Sequence, residues 1–325
     1  MFKGEKPESL FLGTIPSFIQ SFFNRRKRMA CKVNEWLSRS KPLSSSIEPV
    51  ITWIGHATFL IQMGGFNILT DPIFGHPSMI YHRVLPAGLD IQQLPKIDVV
   101  LISHNHRDHM DESSLLALKQ HSPGMRVLVP MGDKAWFDAR RFDDTKEYMW
   151  WDQEIVHEND RSIEFVFLPS SHWSQRGIFD KNKSLWGSWM IRANGYSMYF
   201  AGDTAYYKHF KEIGNEFPSI HTALMPIGPC EPENRMIHLH INAEQSGDAF
   251  LELGARHFVP MHWGTFAFGR DFFSTPIKRI KSWWQANDHK IGPKLLHVVK
   301  AGQILAMNQF DTITQPIPTI IETNI

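Results

Sequence analysis

Ser103-His104-Asn105-His106-Arg107-Asp108-His109-Met110-Asp111 is a short loop of the pattern HxHxDH, with four potential metal ligands in six positions. It follows the apolar run Ile97–Ser103, which is typical of a strand buried on both faces. It precedes a predicted helix at Glu112–Gln120, for which Asp111 is a suitable N-cap. A solvated turn would not explain four such residues directly after a buried strand, so the loop predicts a metal site.

The spacing inside this loop predicts two metal ions. His104 and His106 can project to the same side and share one ion. Asp108 and His109 are too close in sequence to join them comfortably, and they suit a second ion. Two ions about 4 Å apart can hold a hydroxide between them. They can also bind the attacking and the leaving oxygen of a displacement at phosphorus.

Further ligands are expected where other predicted strands end. Three candidates lie just beyond apolar runs of strand type: His172, Asp203 and His262. The carboxylate of Asp203 could bridge both ions. Taken alone, either histidine is more typical of a hydrogen-bonded core or loop residue, and Asp203 of a turn beside Gly202. Their interpretation as ligands therefore depends on the HxHxDH loop.

Composition and charge describe an ordinary globular protein. Apolar residues make up 42% of the chain and charged residues 21%, which excludes disorder as the main state. The formal net charge is +1, so no strong field draws the protein toward nucleic acid, and no nucleic-acid partner is expected. Cys31 and Cys230 are far apart and lack CxxC spacing. They favour a reducing compartment, and we expect a cytoplasmic protein.

Predicted strands dominate each half of the chain, and helices lie between them. Gly64-Gly65 supplies a tight hairpin turn between two of the strands. This order fits two stacked sheets flanked by helices better than a single doubly wound sheet. The predicted strands are Ile51–Ile54, Thr58–Met63, Phe66–Thr70, Ile97–Ser103, Arg126–Val129, Ile163–Leu168, Trp186–Ala193, Ser197–Ala201, Thr222–Met225, His257–Val259 and Leu295–Val299. The predicted helices are Glu112–Gln120, Tyr206–Ile213, Ala243–Leu253 and Pro276–Asn287.

Residues 1–48 differ from the rest, and we interpret them as an arm and a Ser-rich linker, Ser38–Ser46, before one main domain at residues 49–325. The apolar stretch Leu10–Phe23 is too short for a membrane span of roughly 20 residues and lacks a small-residue cleavage site. With the basic cluster Arg25–Arg28 it could lie on an anionic membrane surface, as a peripheral contact. The alternative is an arm packed on the body or on a second subunit, as in a homodimer.

Further motifs extend the pattern from about Thr52 to Gly302. They are Trp53–Thr58, Leu69–Phe74, Leu101–His106, Leu185–Trp189, Pro226–Gly228 and His262–Phe266. Taken in this order with the ligands, they resemble the metallo-β-lactamase superfamily, and specifically its branch containing N-acylphosphatidylethanolamine-hydrolysing phospholipase D. The resemblance implies an α/β (α+β) fold, a four-layer αββα sandwich of two mixed β-sheets flanked by helices.

The same resemblance implies a full set of metal ligands. It implies two groups of three ligands, one group for each zinc ion, and one bridging carboxylate. The first group is His104, His106 and His172, the second is Asp108, His109 and His262, and the bridge is Asp203. The expected cofactor is therefore two Zn²⁺ per chain, with iron or manganese as alternatives.

The activity implied by the resemblance is hydrolysis of N-acylphosphatidylethanolamine to phosphatidic acid and an N-acylethanolamine, which makes a phospholipid the expected partner. Asp108, Asp203 and His240 would be the catalytic residues. The family places a histidine near the substrate phosphate, and His240 falls at that place. We expect it to be protonated and to offset charge on the phosphoryl oxygens. His238 is the alternative for this substrate-binding role, or both histidines cap the following helix.

Two departures from the family's pattern concern the substrate rather than the metals. Asn242 stands where an acidic residue is common, and Arg107 where tyrosine is common. We interpret His56 as orienting the first strands and Asp71 as a hydrogen-bond partner of a ligand histidine. The competing functions are a hydrolase of another phosphodiester or of a lactone, and a non-catalytic lipid-binding protein.

Overall fold

The computed structural model describes residues 33–78, 81–310 and 319–322. The strands in this part of the chain are β1 (Val50–Gly55), β2 (Thr58–Met63), β3 (Phe66–Thr70), β4 (Val99–Leu101), β5 (Arg126–Pro130), β6 (Asp144–Tyr148), β7 (Gln153–Glu158), β8 (Arg161–Leu168), β9 (Ser188–Ala193), β10 (Tyr196–Phe200), β11 (Thr222–Pro226), β12 (His257–Met261), β13 (Leu295–Val298), β14 (Ile304–Ala306) and β15 (Ile320–Glu322). The helices are α1 (Glu112–His121), α2 (Lys134–Asp138), α3 (His209–Glu216), α4 (Glu233–Met236), α5 (Ala243–Leu253), α6 (Thr275–Ala286) and α7 (Asp288–Ile291). Short 3₁₀ turns cover Val33–Trp36, Ile91–Gln93 and Met307–Phe310.

Two mixed sheets organise the molecule. The first has the strand order β14-β1-β2-β3-β4-β5-β6, and the second has the order β15-β13-β12-β11-β10-β9-β8-β7. In the first sheet β14, β1, β2 and β3 pair antiparallel, and β3 to β6 pair parallel. In the second sheet β7 to β10 pair antiparallel, and the strands from β10 to β15 pair parallel.

Alternating side chains of the first sheet reveal the layers. Phe59 and Leu101 point into the large central core shared with the second sheet, whereas Leu60 and Val100 pack with helices α1 and α2 on the other face. Helices α3, α5 and α6 cover the second sheet, with Phe250 among their buried residues. Because each sheet has one face on the other sheet and one face on helices, the predicted four-layer αββα sandwich is confirmed.

The strands and helices predicted from the sequence are present, with shifts at their ends. The apolar run Ile97–Ser103 contributes only Val99–Leu101 to the sheet, and the helix predicted to start at Tyr206 begins at His209. Strands β6 and β7 were not predicted, because they are edge strands with largely polar sequences and little apolar alternation. Strands β14 and β15 were missed because each has only three residues.

The described part of the N-terminal segment lies against the sandwich. Ser38 N donates to Ala301 O at 2.7 Å, and the ring of Trp36 lies 5.0 Å from the ring of Trp263. The start of the Ser-rich linker is therefore held on the body, since its backbone bonds to Ala301 in the segment between β13 and β14 and the neighbouring Trp36 packs on Trp263. The stretch predicted to contact a membrane, Leu10–Phe23, lies outside the described residues. Within the described ranges, no helix is both long and apolar enough to cross a bilayer.

Candidate metal centre

The strand directions bring the predicted ligands to one edge of the sandwich. Strands β8, β10 and β12 run in the same direction, and His172, Asp203 and His262 follow their carboxyl ends. In the first sheet the HxHxDH loop follows the carboxyl end of β4. The two sets meet, because His104 Nε2 lies 4.0 Å from Asp203 Oδ2.

One group of ligand atoms consists of three imidazole nitrogens. His104 Nε2 lies 2.8 Å from His106 Nδ1, which lies 3.3 Å from His172 Nε2. Two nitrogens bound to one tetrahedral zinc at about 2.0–2.1 Å would lie about 3.3 Å apart. These three nitrogens are therefore spaced as ligands of one ion, and this group is the predicted first set.

A second group lies beside the first. His109 Nε2 is 3.5 Å from Asp108 Oδ2, and one ligand atom from each of these residues lies within 4.8 Å of one from His262. These three residues are the predicted second set. His56 also belongs to this group, with Nε2 at 3.1 Å from Asp108 Oδ2.

The Asp203 carboxylate lies between the two groups. Its Oδ1 is 3.1 Å from His262 Nε2, whereas its Oδ2 is 3.8 Å from His172 Nε2 and 3.3 Å from His109 Nε2. Oδ1 therefore faces the second group, and Oδ2 lies near nitrogens of both groups. This position is compatible with the predicted bridging role.

Hydrogen bonds on the outer nitrogens set the tautomers of the histidines. His109 Nδ1 donates to Asp71 Oδ2 at 2.7 Å, and His172 Nδ1 donates to the backbone oxygen of Leu239 at 2.8 Å. His262 Nδ1 donates to a backbone oxygen at 2.8 Å. With the proton on Nδ1, each ring presents the lone pair of Nε2 to the centre, which is how metal-binding histidines are commonly oriented.

Unpartnered buried atoms give an independent test of whether these residues suit metal ions. In the described part of the chain, His109 Nε2, His262 Nε2 and Asp203 Oδ1 are buried without a hydrogen-bond partner. Such atoms are unfavourable in a protein interior unless another group satisfies them. A nitrogen and oxygen donor set of this kind suits Zn²⁺, and also iron or manganese, so the residues fit the expected ions.

Burial lowers the pKa values of several ligand histidines, the direction that metal binding needs, whereas the pKa of His109 shifts the other way. Desolvation would lower the pKa of His109, but the charges of Asp203 and Asp108 outweigh it and raise this pKa well above its ordinary value. Desolvation lowers the pKa of His106 to about 4 and that of His172 to about 3, which keeps both rings neutral and able to coordinate. Desolvation alone would raise the pKa of Asp108, but the charge of His109 and a hydrogen bond from His56 outweigh it. The pKa of this carboxyl is therefore held below its usual range.

His240 and His238 are placed differently. His240 Nδ1 lies 3.6 Å from Asp203 Oδ2, whereas His238 is exposed. Desolvation lowers the pKa of His240 to about 3, which favours the neutral ring over the protonated form expected from the sequence. The helix-capping alternative is wrong for both histidines, because Asn242 caps α5 by accepting from Gln245 N at 2.8 Å.

The place of His56 in this centre was not predicted from the sequence. The ring of His56 lies 4.1 Å from the ring of His262, and orientation of the first strands does not account for this contact. Asp71 has the predicted hydrogen bond to a ligand histidine. His56, Asp71 and His262 have φ values of 55°, 33° and 59°, a left-handed conformation that is uncommon outside glycine and concentrated at functional sites.

A groove of about 580 Å³ opens beside His172. Its walls are about equally polar and apolar, and its volume lies in the range of sites for small organic molecules. The large apolar lining residues are Trp150, Trp151, Trp186, Tyr206, Tyr207, Ile237 and Leu239, and the charged ones are Lys208 and Glu212. His238 lies on the same wall. The metal centre therefore has a groove of mixed polar and apolar lining within reach.

A solved structure with the same architecture is the metallo hydrolase Igni18 from the archaeon Ignicoccus hospitalis. It aligns with a TM-score of 0.60 over 79% of this chain and 97% of that chain, at 21% sequence identity. At this identity the likeness supports the fold alone.

Relatives in sequence include an N-acyl-phosphatidylethanolamine-hydrolyzing phospholipase D of Caenorhabditis elegans, 29% identical over 73% of this chain and 70% of the relative. The mitochondrial protein of that name from Saccharomyces cerevisiae is 32% identical over 75% of this chain, and the chain spans about half of it, 54%. A metal-dependent hydrolase of Koribacter versatilis is 30% identical over 66% of this chain and 84% of the relative.

The family model described as the β-lactamase superfamily domain matches residues 66–263, which is more than half of the chain. This range contains the HxHxDH loop and the other predicted ligands, His172, Asp203 and His262. The chain therefore belongs to the metallo-β-lactamase superfamily of metal-dependent hydrolases.

Proposed function

We propose that this chain is a dinuclear zinc phosphodiesterase that hydrolyses N-acylphosphatidylethanolamine to phosphatidic acid and an N-acylethanolamine. The observation that carries the proposal is the position of Asp203 between two three-ligand groups, with a groove of mixed polar and apolar lining beside His172. Two adjacent ions suit displacement at phosphorus, and a groove with both polar and apolar lining suits a phospholipid, which has a polar headgroup and apolar chains. Relatives of that named activity, at about 30% identity, add support.

When bound, the two ions would supply Lewis acidity at the phosphoryl oxygens and make a hydroxide nucleophile available near neutral pH. His104, His106 and His172 would hold one ion, and Asp108, His109 and His262 the other. Asp71 fixes the His109 tautomer by accepting a hydrogen bond from Nδ1 at 2.7 Å. The role of Asp203 in this scheme is to hold the two groups of ligands at a constant separation.

His240 is proposed to bind the substrate phosphate as a neutral hydrogen-bond donor. Its Nδ1 lies 3.6 Å from Asp203 Oδ2, so it borders the space between the two groups. A neutral ring that donates one hydrogen bond orients a phosphoryl oxygen without adding positive charge to a site that already binds cations. His238, which lies on the groove wall, would contact the lipid further from the reacting bond.

The test is release of N-acylethanolamine from N-acylphosphatidylethanolamine in detergent micelles, together with the metal content of the purified protein. We expect two ions per chain, turnover by the zinc-loaded protein, and loss of turnover after chelation. Asp203→Asn should lower the rate at least about a hundredfold, because it removes the charge shared by both ligand groups. Asp160→Asn, at an exposed aspartate in the β7–β8 turn, is the matched control.

Two results would count against the proposal. A protein that binds two ions but does not release N-acylethanolamine would shift the function to another phosphodiester or to a lactone. Turnover that survives both chelation and Asp203→Asn would remove the metal centre from the reaction.

A further inference from the structure

A structured loop follows His172 directly and projects from the metal-centre edge. It spans residues 173–183. Its base is closed by Asn182 N, which donates to Ser174 O at 2.7 Å. Near its tip, the Asp180 carboxylate accepts from Gly177 N at 2.7 Å and from Arg176 N at 3.2 Å. These bonds fix the backbone of the loop, so the side chains at its tip have a defined place.

The tip carries the two most exposed large apolar side chains of the described residues. Ile178 is 81% exposed and Phe179 is 85% exposed, compared with 61% for Phe272, the next in rank. Large apolar side chains held in water by a structured backbone are unfavourable unless they are used for binding. Adjacent aliphatic and aromatic residues of this kind suit the boundary between lipid headgroups and acyl chains.

Positive charge surrounds this tip. Lys181 and Lys183 lie in the loop, and Arg107 of the HxHxDH loop donates from Nη2 to the backbone oxygen of Arg176 at 3.4 Å. The side chains of Arg107, Lys181 and Lys183 are exposed. The acidic residue of the segment, Asp180, is occupied by the backbone bonds of the loop itself. The surface around the apolar tip is therefore complementary to an anionic partner.

The loop borders the metal centre through Trp173. The ring of Trp173 lies 4.4 Å from the ring of His106, and the ammonium of Lys181 lies 5.3 Å from the centre of the Trp173 ring. Arg176 Nη1 also donates to Met110 O at 2.6 Å, at the end of the HxHxDH loop. A surface bound to this loop would lie next to the opening of the centre.

We propose that loop 173–183 is an anchor for anionic phospholipid surfaces, in which Ile178 and Phe179 enter the interface and Arg107, Lys181 and Lys183 contact the headgroups. The proposal rests on the lipid substrate of the proposed function and adds the part of the chain that brings the centre to its substrate. It is independent of the N-terminal arm, because the anchoring residues belong to the catalytic edge of the sandwich.

The experiment is co-sedimentation of the full chain with phosphatidylcholine vesicles, with and without phosphatidylglycerol and free of any N-acylated lipid. We expect tighter binding to the anionic vesicles. Ile178→Ser/Phe179→Ser should weaken this binding at least about tenfold, because two apolar side chains no longer enter the interface. Lys181→Gln/Lys183→Gln should weaken it by about fivefold for each lysine and reduce its dependence on salt.

The matched control is Ile47→Ser/Ile155→Ser, which removes two exposed isoleucines elsewhere. Each of them shares a cavity wall with Asn194 and Gly195, in the turn before β10, whereas Asp203 follows the other end of that strand. This variant should bind vesicles like the unmodified chain. Ile178→Leu/Phe179→Trp should also retain binding, since it keeps apolar side chains at the tip.

Equal vesicle binding by the Ile178→Ser/Phe179→Ser variant and the unmodified chain would overturn the proposal, and so would absence of binding by the unmodified chain. Sedimentation velocity tests a third outcome. If the unmodified chain is a dimer and the Ile178→Ser/Phe179→Ser variant is a monomer, the tip is a subunit contact and the membrane anchor is overturned. Loop-dependent binding without N-acylethanolamine release would sustain the anchor and reject the proposed function. N-acylethanolamine release without loop-dependent vesicle binding would support the proposed function and reject the anchor.

Discussion

At the scale of single residues, the carboxylate of Asp71 connects two parts of the candidate centre. Its Oδ1 accepts from Ser103 N at 2.7 Å, and its Oδ2 accepts from His109 Nδ1 at 2.7 Å and from Ser103 Oγ at 2.5 Å. Ser103 Oγ in turn lies 2.9 Å from His104 Nδ1. One buried carboxylate therefore orients a histidine in each of the two ligand groups.

Asp71→Asn should weaken metal binding by about 10- to 100-fold, because an uncharged amide orients the two histidines less strongly than a carboxylate. Titration against a chromophoric chelator measures the affinity directly. Asp160→Asn, which changes an exposed aspartate, is the control. Equal affinities in the Asp71 variant and the unmodified chain would show that the histidines keep their tautomers without this carboxylate.

Asp133 supports the HxHxDH loop from outside the metal centre. Its Oδ1 accepts from Asn105 Nδ2 at 2.9 Å, and desolvation raises the pKa of this carboxyl to about 6 from 3.8. Between these two pH values the folded chain binds a proton that the unfolded chain has released. The contribution of this group to the free energy of unfolding therefore falls as pH rises from about 4 to 6.

Asp133→Asn should remove this pH dependence. We expect the free energy of unfolding of the variant, relative to the unmodified chain, to increase by up to about 3 kcal/mol between pH 4 and pH 7. Urea unfolding of both proteins in the presence of a chelator measures the difference without a contribution from metal loading. A difference that does not change with pH would mean that this carboxyl titrates near its ordinary value.

Some residues of the candidate centre could be predicted from the sequence, and His56 could not. The ligands of the HxHxDH loop were recognisable because four of them lie within six positions. Asp203 and His262 were recognisable because each follows an apolar run. His56 lacks such a local signal, since it sits in a two-residue turn between β1 and β2. Its contact with Asp108 spans 52 positions and depends on tertiary structure.

At the scale of elements, strand direction explains how His56 arrives at the centre. Strands β1 and β2 pair antiparallel, as do β2 and β3, whereas β3 and β4 pair parallel. Strands β1, β3 and β4 consequently point the same way, and the residues after them, His56, Asp71 and the HxHxDH loop, share an edge. Once the two hairpins were predicted, counting the changes of chain direction from β1 to β4 would have placed His56 at the same edge as the HxHxDH loop.

The start of helix α5 lies close in sequence to His240, at the edge of the candidate centre. Asn242 accepts from Gln245 N at 2.8 Å, and its side-chain amide donates to Glu233 Oε1 at 3.0 Å. His240 lies two residues before this cap, so the position of the cap restricts the position of the histidine. The acidic residue common here in the family would keep the cap but lose the donation to Glu233.

Asn242→Ala should destabilise the chain by about 1 kcal/mol, because it leaves a helix N–H without its acceptor. Asn242→Asp should keep most of this stability, since a carboxylate also caps helices well. Thermal unfolding of the two variants, at constant metal loading, provides the measurement. Equal losses in both would assign the effect to the contact with Glu233 instead of the cap.

At the scale of the whole molecule, the candidate centre joins the two sheets. The HxHxDH loop belongs to the first sheet, whereas His172, Asp203 and His262 follow strands of the second. The sheets also share the large apolar core, which does not require metal. The fold should therefore persist without metal ions, with a loss of stability concentrated at the edge where the ligands meet.

Metal removal should accordingly lower the melting temperature while leaving the secondary structure intact. Ligands that bind only the folded state stabilise it by about 4 kcal/mol when their concentration is a thousand times the dissociation constant. Calorimetry of the zinc-loaded and chelated chain measures this shift, and amide hydrogen exchange locates it. We expect faster exchange after chelation in the HxHxDH loop and after β8, β10 and β12, with little change around the β9–β10 turn at the opposite edge.

In Asp203→Asn, the difference in melting temperature between the zinc-loaded and chelated protein should be smaller, since both ligand groups lose their shared carboxylate. A uniform increase in exchange across both sheets would instead show that the metal ions stabilise the sandwich as a whole.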